Sequence, residues 1–241
     1  MSARDEILAR IRDALDGDSG RDARDGEAAA PRGYRLISDR TGAELVGLLA
    51  ERLRDYGAAV RECEPASLPA AVAAALAARG AHRLVVPPGL DLPGLNLPSL
   101  NLPGLNLRSA GEGIGGGGVI DGAEDIEVVV DDGLTAHELD AFDAVITTAA
   151  LAIAETGTIV LDGSPGQGRR ALSLIPDYHL CVLFDSQVVG MVTEAIRRLA
   201  PPRPLTWISG PSATSDIELD RVQGVHGPRT LEVILVNSPA D

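Results

Sequence analysis

Glu155 interrupts an apolar run and is followed at once by Thr156, Gly157 and Thr158, so a carboxylate stands at a tight bend among hydroxyls. Buried and unpaired it would be costly, so it either accepts the backbone N–H groups of its own turn or faces a cavity as a ligand-contacting acid or nucleophile. A few residues on, "GSPGQGRR" sets Arg169 and Arg170 behind three glycines, which suits a carboxylate or phosphate approached by backbone amides. The bland alternative is a flexible connection with solvated arginines. A second polar concentration follows the apolar "LTWIS": Gly210 breaks the chain, then come Ser212, Thr214, Ser215, Asp216 and Glu218, and after them Gly224, His226 and Gly227. The pair Ser215 and Glu218 has the spacing of a capping box for a helix of about eight residues ending near Gly224. Capping leaves Ser212, Thr214 and Asp216 unexplained. A glycine-led loop running from a parallel strand into a helix N-terminus offers free N–H groups and hydroxyls to an anion, although Asp216 would oppose one there. His226 reads either as a satisfied structural histidine or as an acid or base. The expectation is that the corners around 155 and 212 converge to line one polar hollow for a small molecule.

Other chemistries are excluded by what the chain lacks. All 21 basic residues are arginine, so there is no lysine for a P-loop, a Schiff base or a general base. Cys63 and Cys181 stand far apart with no C-x-x-C, too few for an iron–sulfur cluster or zinc ribbon, and the four histidines show no metal-ligand spacing. No metal site and no resident cofactor are expected. A net charge of −14 repels phosphate backbones, and 2% aromatic residues leave few platforms for stacking bases. Nucleic acid is therefore not an expected partner. G-E-G-I-G-G at 111–116 matches a dinucleotide fingerprint only in form, because it follows a loop and runs into a strand. The charged, amphipathic N-terminus is no signal peptide and no run of eighteen apolar residues exists, so the expectation is a cytoplasmic chain without a membrane span.

The elements that must position these groups are marked by caps and periodicity. Residues 1–15 carry Ile7, Leu8, Ile11 and Leu15 on one helical stripe, which packs on its own domain or clasps a partner, and 16–33 read as a flexible linker. Thr41, Glu44 and Gly57 bracket a helix over 42–56, and Ser67 and Gly80 a second. Short β-branched runs at 58–63, 82–87, 126–132, 144–148, 158–162, 179–184, 205–209 and 231–236 alternate with helical segments, and Thr135 and Glu138 repeat the capping box. Such a rhythm predicts an α/β fold, a mostly parallel sheet flanked by helices. Between them, 91–123 hold a Leu-Asn/Asp-Leu-Pro repeat and a glycine tract, read as a low-complexity surface insertion.

The segments "AIAETGTIVLDG", "GSPGQGRRALSLIPDYH" and "ISGPSATSDIELDRVQGVHGPRTLEVILV", with the leading "RDEILARIRDAL", closely resemble the lactate utilization protein C family, also called the LUD domain or DUF162. That resemblance covers 1–90 loosely and 126–236 tightly. It implies a NagB/RpiA/CoA-transferase-like fold, that of the sugar-phosphate isomerase and CoA-transferase superfamily, in a domain over 34–241. It also implies a role in oxidising L-lactate to pyruvate beside two iron–sulfur partner proteins. With no cluster cysteines of its own, the chain resembles the redox-silent accessory member, binding a small carboxylate or a partner surface. The motif residues carried over are Glu155 to Thr158, Gly210, Ser212, Thr214, Ser215, Asp216, Glu218, Gly224, His226 and Gly227. The 91–123 segment departs from the family pattern. Two other readings stay open: an acyl- or CoA-transferase-like enzyme with Glu155 as covalent nucleophile, and a purely structural scaffold.

Overall fold

A computed structural model describes residues 4, 6–10, 13, 33, 35–95, 105–109, 124–199, 203–214, 222–223 and 227–237. The chain divides into two units, Met1–Arg35 and Leu36–Asp241. In the first, residues 6–10 are helical and exposed, with Arg10 paired to Glu6 one turn away at 2.8 Å. The expected linker 16–33 lies outside the described residues except for 33.

In the second unit, α1 (Ala43–Asp55) precedes β1 (Ala59–Cys63), α2 (Leu68–Arg79) and β2 (Arg83–Val86). Then follow β3 (Leu105–Ser109), β4 (Glu124–Val130), α3 (Ala136–Leu139) and β5 (Ala144–Thr148). The chain continues through β6 (Leu151–Ile153), β7 (Thr158–Leu161), β8 (Tyr178–Phe184), β9 (Val188–Val189) and α4 (Val192–Arg198). It closes with β10 (Thr206–Ile208), β11 (Ala213–Thr214), β12 (Val222–Gln223) and β13 (Thr230–Val236). Seven strands form one wholly parallel sheet in the order β1-β13-β8-β5-β2-β4-β3. This is the helix-flanked parallel sheet that the alternation predicts.

Strand alternation assigns the two faces. Leu84, Val86, Leu180, Val182, Ile234 and Val236 face α2, whose Leu68, Val72, Ala75 and Leu76 are fully buried. Cys181, Leu183, Leu231, Val233 and Leu235 face the other way, against Leu49, Ala50 and Leu53 of α1. Each fully buried leucine contributes about 1.5–3 kcal/mol relative to exposure. Glu232, the charged residue on this inner strand, is 2% exposed; it pairs with the Arg61 guanidinium, accepts from the Tyr178 hydroxyl at 2.9 Å and has Arg79 at 4.0 Å.

The strands 158–162 and 205–209 do not join the parallel sheet. They lie as β7 and β10 in a second sheet, β10-β7-β6-β9, in which β10/β7 and β7/β6 are antiparallel and β6/β9 parallel. Four residues connect β6 to β7, enough for a hairpin and far too few for a parallel crossover. This small sheet, through Ala152, Ile159 and Leu161, packs with α1 on the same face of the large one.

Caps and the insertion also depart in part. Gly57 and Gly80 take the expected left-handed stops, and α3 has its full capping box. At α1 only half of the box forms: Glu44 accepts from the Thr41 amide at 3.4 Å, while the N-cap is Gly42 and receives no side-chain bond. The segment 91–123 is not wholly a surface insertion. Leu92 and Leu95, in its first repeat, are buried at 1% and 7% in the α2-side core, and 105–109 add the edge strand β3 beside β4. Apolar leucines placed three apart can enter a core that proline turns bring them to. The remainder of that segment lies outside the described residues.

Candidate functional site

The two corners do meet. Thr156 Oγ1 lies 2.7 Å from Thr158 Oγ1, which lies 2.8 Å from Ser209 Oγ, so one chain of hydroxyls joins the β6–β7 turn to the end of β10. Two glycines permit the approach. Gly157 (φ 57°) sits where a Cβ would come within 2.8 Å of Arg52 Cβ, and Gly210 (φ 86°) where one would come within 2.7 Å of Tyr56 Cβ. Arg52 and Tyr56 are one turn apart at the end of α1, so both corners are seated against the same helix end.

Beside this junction lies a cavity of about 320 Å³ bordered by Arg170, Ser173, His179, Ser209, Ser212 and Trp207, with Gly210 and Gly227 also in its wall. A second, of about 840 Å³, opens at the carboxyl ends of β2 and β4 and is bordered by Asp131, Asp132, Asp162, Arg169 and Arg203. Arg170, Ser173 and Thr206 border both. A third, of about 440 Å³, adjoins the second at Asp162 and Ser164. The first two have the size of small-molecule sites.

The paired arginines have different tasks. Arg169 donates to both carboxylate oxygens of buried Asp131, at 2.7 and 2.9 Å, and to the Leu134 carbonyl. Its hydrogen bonds hold the Asp131 carboxyl below the usual range against the opposing cost of burial. Arg169 is thus committed inside the protein and not held free for an anion. Arg170 is exposed and makes no ion pair among the described residues. The glycine loop before them is likewise tied down: the Gly166 amide donates to Pro88 O at 3.2 Å and the Gln167 amide to Ser164 O at 3.0 Å.

Glu155 is half-buried at the turn, its amide donating to Gly190 O at 3.1 Å, and it borders none of the three cavities. Convergence therefore brings Thr158, Ser209, Gly210 and Ser212 to the small cavity's neighbourhood and leaves the carboxylate outside it. Beyond Ser212, whose amide donates to Pro228 O at 2.9 Å, the chain forms an antiparallel ribbon, Ala213–Thr214 against Val222–Gln223. The last turn of the helix expected to end near Gly224 is hence a strand. Thr214 belongs to that ribbon, while Ser215, Asp216, Glu218, Gly224 and His226 lie outside the described residues. The site is also not at the end of a parallel strand, since β10 pairs antiparallel.

Sequence reasoning missed His179. It is 1% exposed, borders the small cavity, and its Nε2 lies 2.8 Å from Thr147 Oγ1. Burial depresses its pKa to about 4, so it is neutral near pH 7. The available signal was a lone histidine in "YHLCVLF", on the face shared with Cys181 and Leu183. Among the described residues no group of three or more His, Cys, Asp or Glu is placed to hold a metal ion. No described helix is long and apolar enough to cross a membrane.

Comparison with known proteins places these features. Residues 48–236 match the LUD domain. The lactate utilization protein C of Deinococcus radiodurans is 41% identical over 236 residues, 96% of this chain and 94% of that one. The Bacillus subtilis protein of the same name is 38% identical over 100 residues, 38% of this chain and 41% of that one. In structure the chain is similar to a DUF162 family protein of D. radiodurans solved by crystallography, with a TM-score of 0.60 and 38% identity over 82% of this chain and 99% of that one.

Proposed function

Because this chain belongs to the LUD domain family, we propose that it serves in lactate utilization and that its task there is to bind a small carboxylate at the cavity Arg170 borders. The observation that carries the reading is Arg170 itself, an exposed guanidinium without an ion pair among the described residues, standing where two cavities join. A planar fork of donors in that position suits a carboxylate, and Ser173, Ser209 and Ser212 add hydroxyls around it. The role in lactate utilization rests on relatives that carry the name lactate utilization protein C.

Within that system the chain acts as a redox-silent component, with lactate oxidised to pyruvate by iron–sulfur partner proteins in the cytoplasm. Its two cysteines support this. Cys63 packs against the α2-side core and Cys181 lies in the α1-side core, on opposite faces of the sheet, with burial pushing the Cys181 thiol up to about 12. Neither is a ready thiolate, and a cluster takes four. The domain reading is an N-terminal helix over 1–15, a linker over 16–33 and a LUD domain over 34–241.

Calorimetric titration of the full chain with L-lactate and with propionate tests the binding claim. Arg170→Met should weaken both by about ten- to a hundredfold, as loss of charged hydrogen bonds does, while Glu155→Gln should leave both unchanged. Equal affinity in wild type and Arg170→Met sinks the reading. Deletion of the gene should abolish growth on L-lactate as sole carbon source, and normal growth would remove the proposed pathway.

A further inference from the structure

The outer edge of β10 is open. The Ala150 amide donates to Val160 O at 2.9 Å, so the main chain of Val160 is turned toward β6, and its neighbours Ile159 and Leu161 are the ones that bond to β10. Trp207 stands opposite Val160 and therefore directs its own N–H and C=O away from β7. β10 is the last strand of its sheet on that side, and among the described residues no hydrogen bond outside the ladder reaches the main chain of Leu205, Trp207 or Ser209. A bare strand edge is a template for another extended chain.

Two cavities follow this edge. Residues 206–211 border the smaller and 203–206 the larger, and the two join at Arg170, Ser173 and Thr206. At about 3.3 Å per extended residue, the trough beside the strand is far longer than a three-carbon acid. Leu205 and Trp207, two residues apart and so on one face of the strand, both expose their side chains, where apolar residues of an added chain would pack. Charges along the larger cavity are settled in pairs, Arg169 with Asp131 and Arg203 with Asp162 at 3.6 Å, which leaves Arg170 as a cation and Asp132 as an exposed anion without an ion pair among the described residues. An internal stretch of polypeptide carries only neutral peptide groups past Arg170, whereas a chain end brings a carboxylate to it.

We infer that the β10 edge takes the C-terminal segment of a partner protein as an added strand, with the terminal carboxylate on Arg170 and apolar side chains against Leu205 and Trp207. The inference rests on Arg170 as a carboxylate receptor, as proposed above, and extends its ligand from a small acid to a peptide end. The segment is neutral or basic, because Asp132 and the chain's net charge of −14 turn away an acidic one. Main-chain hydrogen bonds supply the affinity, and the carboxylate fixes where the segment ends.

Trp207 is the only tryptophan of the chain and lies on the edge itself, so its fluorescence reports occupancy. The probe is the peptide acetyl-Val-Thr-Val-Thr-Val as free acid, titrated into the full chain beside its C-terminal amide. The free acid should shift the Trp207 emission saturably to shorter wavelength, and the amide should bind about tenfold more weakly, the change expected for loss of charged hydrogen bonds. Arg170→Met should bring the free acid to the affinity of the amide. N-methylation of the peptide at alternate residues should abolish binding in one phase and spare it in the other, because only every second N–H of an added strand meets β10. No saturable shift, equal affinity of acid and amide in wild type, or equal effects of the two methylation phases overturns the inference. L-lactate binding that Arg170→Met weakens, without peptide binding, removes the added strand alone; absence of binding by both L-lactate and peptide removes the Arg170 reading as well. The peptide comparisons are made on wild type and decide the matter even if the variant fails to fold.

Discussion

His179 shows how one histidine inside an apolar strand creates a titratable liability. Its pKa is about 6.5 unfolded and about 4 in the protein, lowered by burial. The unfolded chain then takes up the proton first, so this contribution to stability is complete above about pH 6.5 and is lost as the pH falls through about 4. The groups around the ring are the neutral Thr147 and Cys181, with Arg170 at the cavity border. His179→Gln should flatten the urea-midpoint profile between pH 6.5 and 4 by on the order of 3 kcal/mol, and an unchanged slope would contradict the burial argument. Asp131, held low chiefly by Arg169, acts below that window, since carboxylates titrate lower. At this scale the sequence was half legible. Arg170 and Ser212 could be named because polar types cluster at glycine-led corners. Arg169 could not be told from Arg170, because only the fold brings Asp131, 38 residues away, beneath one of them. His179 escaped because a strand's periodicity says which face a residue takes and not whether that face meets a cavity.

Glycine substitutions separate backbone conformation from close packing at the element scale. Gly80 ends α2 at φ 61° with nothing within 4 Å of an added Cβ, so Gly80→Ala should cost about 1 kcal/mol for the left-handed backbone alone. Gly157 has a similar φ of 57°, but its Cβ would meet the Arg52 backbone carbon at 3.0 Å, and Gly157→Ala should cost about 2–4 kcal/mol. Comparable urea midpoints for the two variants would deny that the turn is seated on α1. Element type was legible almost everywhere, because capping at Thr135, stops at Gly57 and Gly80 and β-branched runs are local signals. Sheet membership was not. The runs 158–161 and 206–208 look like any other strand, and it is the shortness of the 154–157 connection that sends the first into a second sheet, where the second pairs with it. The ribbon at 213–214 and 222–223 replaces helix against a valid capping spacing, an instance of pairing overriding propensity.

At the scale of the molecule, the core belongs to residues 36–241, which hold all the buried hydrophobic side chains among the described residues. A chain lacking 1–35 should therefore unfold cooperatively, with a Tm within a few degrees of the full chain; a molten or aggregated product would show that the core is incomplete without them. The parallel architecture was legible in the βα rhythm, whereas strand order was not, because it is set by which long-range pairs bury both faces and leaves no local trace.

Strand order carries a consequence for biosynthesis. β13 comes last among the described strands, yet it is interior, hydrogen-bonded along both sides to β1 and β8. Until residues 230–236 emerge from the ribosome, β1 has no place in the large sheet and β8 presents a bare apolar edge to solvent. Nascent chains must wait in that state, so chaperone dependence and premature termination should be felt more sharply here than in a protein whose final strand lies at a margin.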